Sequence, residues 1–290
     1  MEKDASTNKK RRKAIALLVL LLALGMMIYG GVHLIGVFQV YQEGNAHYED
    51  LSNRVRRIVT TGPQGPQTGT STDPTQTPQV DVPRVEVDFG ALKAINKDAV
   101  AWLYCPNTPI DYPVMKADDY SYYLTHLPDG TLNANGALFI DYNCASDFSD
   151  PLTVIYGHHM QSGMMFGSIN GYKSQGYFDE HPFMYLYTEQ GNYRVELIYG
   201  CVIGEGQWRE RAFMYSANRA SLLAYATQNS TFESPVSYAE KDRVVVMSTC
   251  SYEFNDARYI VIGILRPEYQ AKDKPDKPGQ GEQNSTETRD

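Results

Sequence analysis

The sequence predicts a mainly β domain with peripheral helices, built as an antiparallel barrel or sandwich and tethered by an N-terminal transmembrane helix. Eight short β-rich runs alternate with turn residues, a pattern typical of barrels and sandwiches. A long uncharged apolar run lies near the N-terminus, and segments rich in polar turn-forming residues lie on both sides of the β-rich part. With 42% apolar residues, the chain has enough material for a substantial core.

Residues 1–13 carry a cluster of Lys and Arg, and residues 14–38 carry no formal charge. An apolar run of about 25 residues is long enough to cross the hydrocarbon core as a helix. A cleaved signal peptide is the alternative, but the run is longer than a usual signal h-region and no small-residue cleavage pattern follows promptly. Because positive charges favour the cytoplasmic side, we predict a single-pass cell-membrane protein with a cytoplasmic tail and an extracellular domain.

The chain after the apolar run divides by composition. Residues 39–60 have apolar or aromatic side chains at roughly helical spacing, which predicts a juxtamembrane helix. Residues 61–83 are rich in Thr, Pro, Gly and Gln and have too few apolar side chains to fold, so they are predicted to form a flexible linker. Residues 270–290 have the same character and are predicted to be a disordered tail, so the folded domain spans 84–269.

Within the domain, eight runs are predicted as strands: AWLYC, IDYPVM, GALFIDY, LTVIYGH, FMYLYT, NYRVELIYGCVI, RVVVMSTC and RYIVIGIL. Helical patterns lie between them, in FGALKAINKDA, DDYSYYLTH, MMFGSINGY and NRASLLAYATQ. The last of these belongs to a long insertion, Gly204–Asp242, between the sixth and seventh strands. Connections of this length are usually functional or disordered. The helical pattern and several aromatic residues favour a functional insertion.

The chain carries a formal net charge of −8 although its basic cluster precedes the apolar run, so the external part is acidic. An acidic surface argues against nucleic acid as a partner. The four cysteines follow no compact disulfide or zinc spacing and include no C-x-x-C, so one or more of them is expected to be a free thiol; they are Cys105, Cys144, Cys201 and Cys250.

Cys250 ends an apolar run and begins a polar segment that leads to Arg258. A free Cys is commonly a small buried packing residue, whereas a Cys at a strand end beside a cation can be a nucleophile. If residues 251–257 form a turn between antiparallel strands, Arg258 becomes the neighbour of Cys250 across the hairpin. The permanently charged guanidinium can then stabilise an oxyanion without exchanging protons; the alternative is a solvated strand-start charge.

His158 directly follows the run LTVIYG, so it also lies at the end of an apolar strand, and Gly157 allows a tight backbone there. Because neighbouring residues of a strand face opposite sides, one of the pair His158 and His159 must point elsewhere. A metal site of His158, His159 and Cys250 is weakly supported, because no further Cys or carboxylate completes a recognisable ligand spacing. We therefore predict neither a metal nor an organic cofactor.

The segment TVIYGHHMQSGMMFGSI resembles the histidine motif of class B sortases, and VVVMSTCSYEFNDARYIVIGIL resembles their T/S-x-T-C strand, loop and arginine strand. The similarity covers most of Arg84–Pro267, including the strand order and the helix-bearing insertion. It implies an eight-stranded sortase-type β-barrel and a membrane-tethered cysteine transpeptidase of Gram-positive bacteria, of the cysteine-peptidase and acyltransferase type. One departure is Met247, where the family often has Leu, which affects packing rather than chemistry.

The resemblance also implies roles for individual residues, carried over by motif position. Cys250 is implied to be the nucleophile, His158 the general acid and base, and Arg258 the stabiliser of the oxyanion or substrate carbonyl. Ser248, two residues before the cysteine, is implied to contact the substrate. An Asn before GALFIDY, either Asn135 or Asn133, is a further candidate substrate contact, and a turn residue is the alternative interpretation.

The implied substrate is a sorting signal on a surface protein or pilin, NPQTN-like or of the P-x-T-G type, cleaved after its Thr. The implied second substrate is an amine of a cell-wall precursor or a pilin lysine. The string GPQTG at Gly65–Gly69 resembles such a signal, but a linker of this composition also produces such strings by chance. Recognition of this string by the enzyme itself would predict acylation or cleavage at Thr68.

Two other interpretations fit parts of the sequence. A non-enzymatic, membrane-anchored β-domain for surface binding or adhesion would use Cys250 as a structural residue and predicts an unreactive thiol. An L,D-transpeptidase has the same His-Cys-Arg order, but its Arg follows the Cys by two residues, whereas here the gap is eight and position 252 is Tyr. Papain-like peptidases place Cys before His, the reverse of the order in this chain.

Overall fold

The computed structural model describes residues 2–59, 84–209 and 219–268. The predicted linker 61–83 and C-terminal tail 270–290 lie outside the described residues, as does part of the insertion.

The predicted anchor and the predicted juxtamembrane helix form one continuous helix, α1, over Glu2–Val55. α1 is the one helix in the described part of the chain that is long and apolar enough to cross a membrane. The juxtamembrane helix ends earlier than predicted, because Arg56–Val59 forms strand β1, which pairs antiparallel with strand β2, Arg84–Val87. A backbone hydrogen bond from Asp88 to the Val55 carbonyl ties this small sheet to the end of α1.

Eight further strands form a closed barrel in the order β10-β8-β7-β3-β4-β5-β6-β9. Their bounds are β3 Ala99–Tyr104, β4 Asp111–Lys116, β5 Leu138–Ile140, β6 Leu152–Tyr156, β7 Phe183–Tyr187, β8 Asn192–Gly204, β9 Val244–Cys250 and β10 Ala257–Pro267. The predicted eight-stranded fold is confirmed. The barrel is not wholly antiparallel, however, because β4–β5 and β6–β9 pair in parallel. Both parallel pairs are joined by the long crossover connections that such pairing requires.

Helices occur in all four segments predicted to contain them. Their bounds are α2 Phe89–Ile95, α3 Tyr122–Thr125, a 3-10 helix Ser168–Lys173 and α6 Arg219–Asn229. Two more short helices, α4 Gln175–Glu180 and α5 Glu205–Arg209, had no clear sequence pattern. The N-terminus of α2 is capped by Asp88, whose carboxylate accepts a hydrogen bond from the Ala91 amide.

Strands β9 and β10 bury both of their faces, which explains the unbroken apolar runs in their sequences. Val245 and Met247 face the barrel interior, whereas Val244 and Val246 pack in an outer cluster with Leu222 and other residues of α6. Because side chains alternate along a strand, Ser248 and Cys250 lie on the same outer face as Val246. Ser248 is still buried on this face, and Cys250, the last residue of β9, is partly exposed.

The C-terminal half of α1 is part of the folded domain rather than a free stalk. Its side chains Tyr48, Leu51 and Val55 are buried in the domain. The side-chain amide of Asn133 donates to the Val40 carbonyl at 3.0 Å, and the Tyr48 hydroxyl donates to the Gly136 carbonyl. The C-terminal part of α1 and the barrel are therefore joined by specific contacts.

We expect Gly44→Ala to loosen this joint. A Cβ at Gly44 would lie 2.7 Å from the Asn135 Cγ and 2.8 Å from the Asn133 Oδ1. Overpacking of this kind costs about 2 kcal/mol, which should lower the Tm of the full chain in detergent by about 6 °C. Gly36→Ala is the matched control, since it makes the same change in the same helix with no atom within 4 Å. Equal Tm values for the two variants would contradict this prediction.

Candidate active site

Cys250 and Arg258 face each other at the loop end of the β9–β10 hairpin. The two residues are paired in the register of the hairpin, and the Arg258 Nη1 donates a hydrogen bond to the Cys250 Sγ at 3.0 Å. The loop between them closes with a hydrogen bond from the Ser251 amide to the Ala257 carbonyl at 2.8 Å. The expected proximity of thiol and guanidinium is therefore present, and this largely buried cation can offset negative charge on the sulfur.

The Glu205 carboxylate contacts the second terminal nitrogen of the Arg258 guanidinium. The Arg258 Nη2 lies 3.5 Å from the Glu205 Oε1, and both side chains are about three-quarters buried. Glu205 is the first residue of α5, directly after β8, and its amide donates to the Asp256 carbonyl at 2.8 Å. The start of the long insertion thus orients Arg258 toward the thiol. A planar guanidinium makes these two contacts from two different nitrogens in a fixed fork, whereas an ammonium has one nitrogen with no fixed donor plane.

A groove of about 560 Å³ leads to the thiol and is lined by Glu205 and residues 250–258. Tyr252 and Phe254 are exposed on its wall. Exposed aromatic side chains beside a polar centre suit the binding of an extended peptide, because they bury apolar area at a small loss of side-chain entropy.

Lys173, at the end of the 3-10 helix, tethers the loop that forms this groove. Its Nζ donates to the Ser251 Oγ at 2.9 Å, forms an ion pair with Glu253 and lies 5.1 Å from the centre of the Tyr259 ring. Burial raises the pKa of the Glu253 carboxyl, but hydrogen bonds from Lys173 and Ser251 outweigh this effect and lower the pKa below its ordinary value. The loop after Cys250 is therefore held by charge-assisted bonds.

His158 lies beside Cys250 because β6 and β9 are parallel neighbours whose ends coincide. Tyr156 pairs with Ser248, and the Gly157 amide donates to the Ser248 carbonyl at 3.2 Å. Residues two positions beyond this pair, His158 and Cys250, therefore emerge at the same end of the barrel. The Thr249 hydroxyl donates to the Gly157 carbonyl at 2.8 Å and fixes the two strand ends together.

The imidazole rings of His158 and His159 are both hydrogen bonded to backbone carbonyls. The His158 Nε2 lies 2.6 Å from the Leu124 carbonyl, and the His159 Nδ1 lies 2.8 Å from the Cys250 carbonyl. A carbonyl only accepts, so each of these nitrogens carries the proton, which leaves the His158 Nδ1 as an acceptor. No hydrogen bond joins either imidazole to the Cys250 sulfur among the described residues. Proton transfer by His158 therefore requires the substrate to bridge the gap or the ring to rotate.

The two predicted substrate contacts have different positions. Ser248 is buried on the same strand face as Cys250, and its hydroxyl has no hydrogen-bond partner among the described residues. Asn135 is not brought to the thiol: it is buried against α1, where its side-chain amide lies 3.4 Å from the Tyr41 carbonyl and 3.2 Å from the Asn45 Oδ1. The alternative candidate Asn133 also contacts α1.

All four cysteines are free thiols, and Cys250 alone among them is not fully buried. Burial raises the pKa of Cys144 to about 11 and that of Cys201 to about 12, and it also raises the pKa of Cys105. Among the described residues, no cluster of His, Cys, Asp and Glu is arranged to hold a metal ion.

We expect iodoacetamide to modify Cys250 at least about a hundredfold faster than the three buried thiols, because reaction requires both access and thiolate. The measurement is peptide mapping by mass spectrometry after timed alkylation of the folded full chain. Denatured protein is the control, in which all four cysteines should react at similar rates. A Cys250 that resists alkylation in the folded state would contradict the predicted reactive thiol.

Three residues that the motifs did not single out lie at the candidate site: Glu205, Lys173 and Asn170. His159, which the sequence offered only as a weakly supported metal ligand, also lies there. The side-chain amide of Asn170 lies 3.2 Å from the His159 Nδ1. Glu205 lies beside the loop because pairing of β8 with β10 places Gly204 opposite Ala257, and no pattern within either strand indicates that pairing. Lys173 and Asn170 reach the site from a separate segment, and local sequence patterns give no indication of that contact.

No protein-family model matches the chain. Sortase B of Listeria monocytogenes is 32% identical over 178 residues, which are 60% of this chain and 72% of that protein. Sortase B of Staphylococcus aureus is 21% identical over 255 residues, which are 87% of this chain and 97% of that protein.

Solved structures show the same likeness. The crystal structure of sortase B from Bacillus anthracis has a TM-score of 0.63 at 24% identity and covers 80% of this chain and 100% of that chain. A sortase B–substrate complex from Staphylococcus aureus has a TM-score of 0.57 at 23% identity and covers 62% of this chain and 85% of that chain. The structural likeness establishes a shared fold.

Proposed function

The chain belongs to the sortase B family of cysteine transpeptidases, and we propose that Cys250, His158 and Arg258 carry its reaction. The observation that supports this proposal most directly is the Arg258 guanidinium, whose Nη1 lies 3.0 Å from the Cys250 Sγ. A permanent cation next to a half-buried thiol favours the thiolate, which is the nucleophilic form. The ends of two parallel strands bring His158 to the same edge of the barrel.

In the first step, the Cys250 thiolate attacks the carbonyl carbon of a Thr in the sorting signal. The carbonyl electrons move to oxygen, and the Arg258 guanidinium offsets the developing negative charge. The C–N bond to the next residue then breaks, the leaving amine takes a proton from the His158 imidazolium, and a thioester to Cys250 remains. The Cys250 thiolate and the His158 imidazolium must coexist for this step.

In the second step, a primary amine attacks the thioester carbonyl. The now neutral His158 takes a proton from this amine, and the Cys250 thiolate leaves as a new amide bond forms. Atoms and electrons balance without a redox partner, and the steps call for no metal ion or organic cofactor. The Arg258–Glu205 contact supports the same guanidinium position in both steps.

We propose a sorting-signal peptide of the NPQTN or P-x-T-G type as the first substrate. Sortase B structures have been solved with a substrate, for the Staphylococcus aureus protein, and with a triglycine peptide, which supports a peptide and an amine as the two partners of this chain. The amine would come from a cell-wall precursor or a pilin lysine. The buried hydroxyl of Ser248, on the same face as the thiol, is proposed to contact the signal peptide. The contacts of Asn135 with α1 favour a structural role for that residue over a substrate contact.

We propose that α1 is retained as a membrane anchor, with the basic residues 1–13 in the cytoplasm and the barrel outside. The helix continues without a break from the apolar run into the part that packs on the domain. A cleaved signal peptide would instead remove the apolar run. The mass of the mature protein from membranes distinguishes the two, since cleavage would shorten the chain.

A peptide-library assay tests the proposed reaction. The wild-type chain and Cys250→Ala would each be incubated with signal peptides and a triglycine or lysine amine, and products would be read by mass. The proposal expects cleavage after Thr and ligation to the amine with the wild type only. Absence of any cleaved or ligated peptide with the wild type across the library would contradict it.

We expect Arg258→Lys to lower kcat about a hundredfold, similar to the loss of one oxyanion donor. Lysine keeps the charge but has one nitrogen in place of the two that contact the Cys250 sulfur and Glu205. Arg266→Lys is the matched control, because Arg266 lies at the other end of β10 and pairs with Glu196 and Asp242 at 3.3 and 2.7 Å. Steady-state ligation rates would measure both, and an equal loss in the two variants would contradict a specific role of Arg258.

A further inference from the structure

α1 fixes the height of the catalytic domain above its apolar run. The uncharged run ends at Phe38, and the Asn133 side-chain amide already donates to the carbonyl of Val40 at 3.0 Å. Two residues of helix correspond to about 3 Å along the axis. The loop that carries Asn133 therefore lies level with the end of the apolar run.

The exposure of α1 side chains supports the same boundary. Met26 in the middle of the run is 69% exposed, whereas Val37 and Val40 are only 39% and 37% exposed. Exposure falls at the end of the run on the side of α1 that carries Val37 and Val40, because the domain covers that side, whereas Phe38 in the same turn is still 62% exposed. The domain therefore begins directly at the end of the apolar run.

The loop Tyr122–Asn135 presents an apolar side chain at this level. Leu132 is 75% exposed, although its backbone is held by a bridge to His126 and a nearby hydrogen bond from the Leu127 amide to the Thr131 carbonyl at 2.8 Å. Exposure of the Leu132 side chain to water does not stabilise the folded domain. The same side chain would lose water-accessible area at an interface.

The charge pattern of the loop suits the boundary region of a bilayer. The segment Tyr122–Asn135 contains neither Lys nor Arg, and its one acidic residue, Asp129, lies 3.7 Å from His47 of α1 and accepts hydrogen bonds within its own turn. Tyr122, with its exposed phenol ring, belongs to the residue type enriched at membrane interfaces. Apolar insertion rather than attraction to anionic headgroups is the contact that this composition can make.

We propose that the loop Tyr122–Asn135 rests on the outer leaflet of the membrane, with Leu132 inserted at the boundary between headgroups and acyl chains. This inference rests on the proposed function only in that α1 is a retained membrane anchor. The loop also carries the Leu124 carbonyl that holds the His158 ring. The acid and base of the reaction would then act close to the membrane surface.

Fluorescence quenching by brominated lipids tests this contact. The full chain with Leu132→Trp would be reconstituted in phosphatidylcholine vesicles, with bromine placed near the carbonyl end of the acyl chains. We expect the added Trp emission to fall about twofold, as for a side chain at the headgroup and acyl boundary. The wild-type chain supplies the background of its two Trp residues, and Ala134→Trp, an exposed neighbour, repeats the test if Leu132→Trp folds poorly.

Two controls make the outcome decisive. Gln190 is exposed in the turn next to Glu189, which pairs with Lys93 of α2. This turn lies near the C-terminal end of α1, about 20 Å farther from the apolar run than the loop that carries Leu132. Gln190→Trp should therefore not be quenched. Tyr29→Trp, in the middle of the apolar run, should be quenched by lipids brominated near the methyl ends of their chains. Quenching at position 29 without quenching at 132 or 134 would overturn the loop contact alone. Failure at position 29 would overturn the anchor itself.

Discussion

Cys250→Ala is expected to reduce transpeptidation by about ten thousandfold or more, to a rate close to the uncatalysed background. The sulfur is the atom proposed to form the thioester, and no other cysteine can replace it, because Cys105, Cys144 and Cys201 are buried. Mass spectrometry of the wild-type chain with a signal peptide and no amine should show a covalent adduct on Cys250. The variant should show none.

Cys201→Ala is the matched control for this prediction. It also removes one thiol, but from the outer cluster beneath α6, so it should retain full activity and lose only about 1 kcal/mol of unfolding free energy. Unfolding curves of both variants establish that each is folded in the assay. Retained ligation by Cys250→Ala would exclude Cys250 as the nucleophile.

His158→Gln is expected to lower kcat about a thousandfold, within the range for loss of a general acid and base. The Gln amide can still donate to the Leu124 carbonyl, which the His158 Nε2 contacts at 2.6 Å, so the variant should keep the local fold. It cannot hold and release a proton. Acylation of Cys250 and its resolution by amine would both slow, which single-turnover measurements of the two steps would show.

His159→Gln provides the comparison within the same segment. His159 contacts the Cys250 backbone carbonyl rather than the sulfur, and a Gln amide can replace that hydrogen bond. We therefore expect a loss of about tenfold or less. A larger loss for His159→Gln than for His158→Gln would transfer the acid and base role to His159.

Much of the barrel could be predicted because the evidence for it is local. The eight β-rich runs became the eight strands of the barrel, and the hairpin that joins Cys250 to Arg258 spans only eight residues. A hairpin register is set by its turn and by neighbouring side chains, both of which can be read from one stretch of sequence. The predicted end of the juxtamembrane helix was less accurate, because Arg56–Val59 forms strand β1 only by pairing with β2, which is distant in sequence.

The parallel pairings could not be predicted in the same way. Both faces of β9 are buried, so its sequence has no alternation to indicate which neighbour it takes. The choice of β6 as that neighbour depends on packing across a connection of nearly ninety residues, yet it is this choice that brings His158 to the thiol. The same limit explains Asn135, whose partner α1 lies 90 residues and more away in the chain.

The sequence by itself determined the strands, the long apolar helix and the Cys250–Arg258 hairpin, because each depends on composition or on contacts within a few residues. Tertiary structure decided the rest: the neighbour of β9, the contact of Glu205 with Arg258, the carbonyl partners of the two histidines and the docking of α1 on the Asn133 and Asn135 amides. These contacts join segments far apart in the chain. Their free energy comes from packing that exists only once the barrel has closed, so no local pattern encodes them.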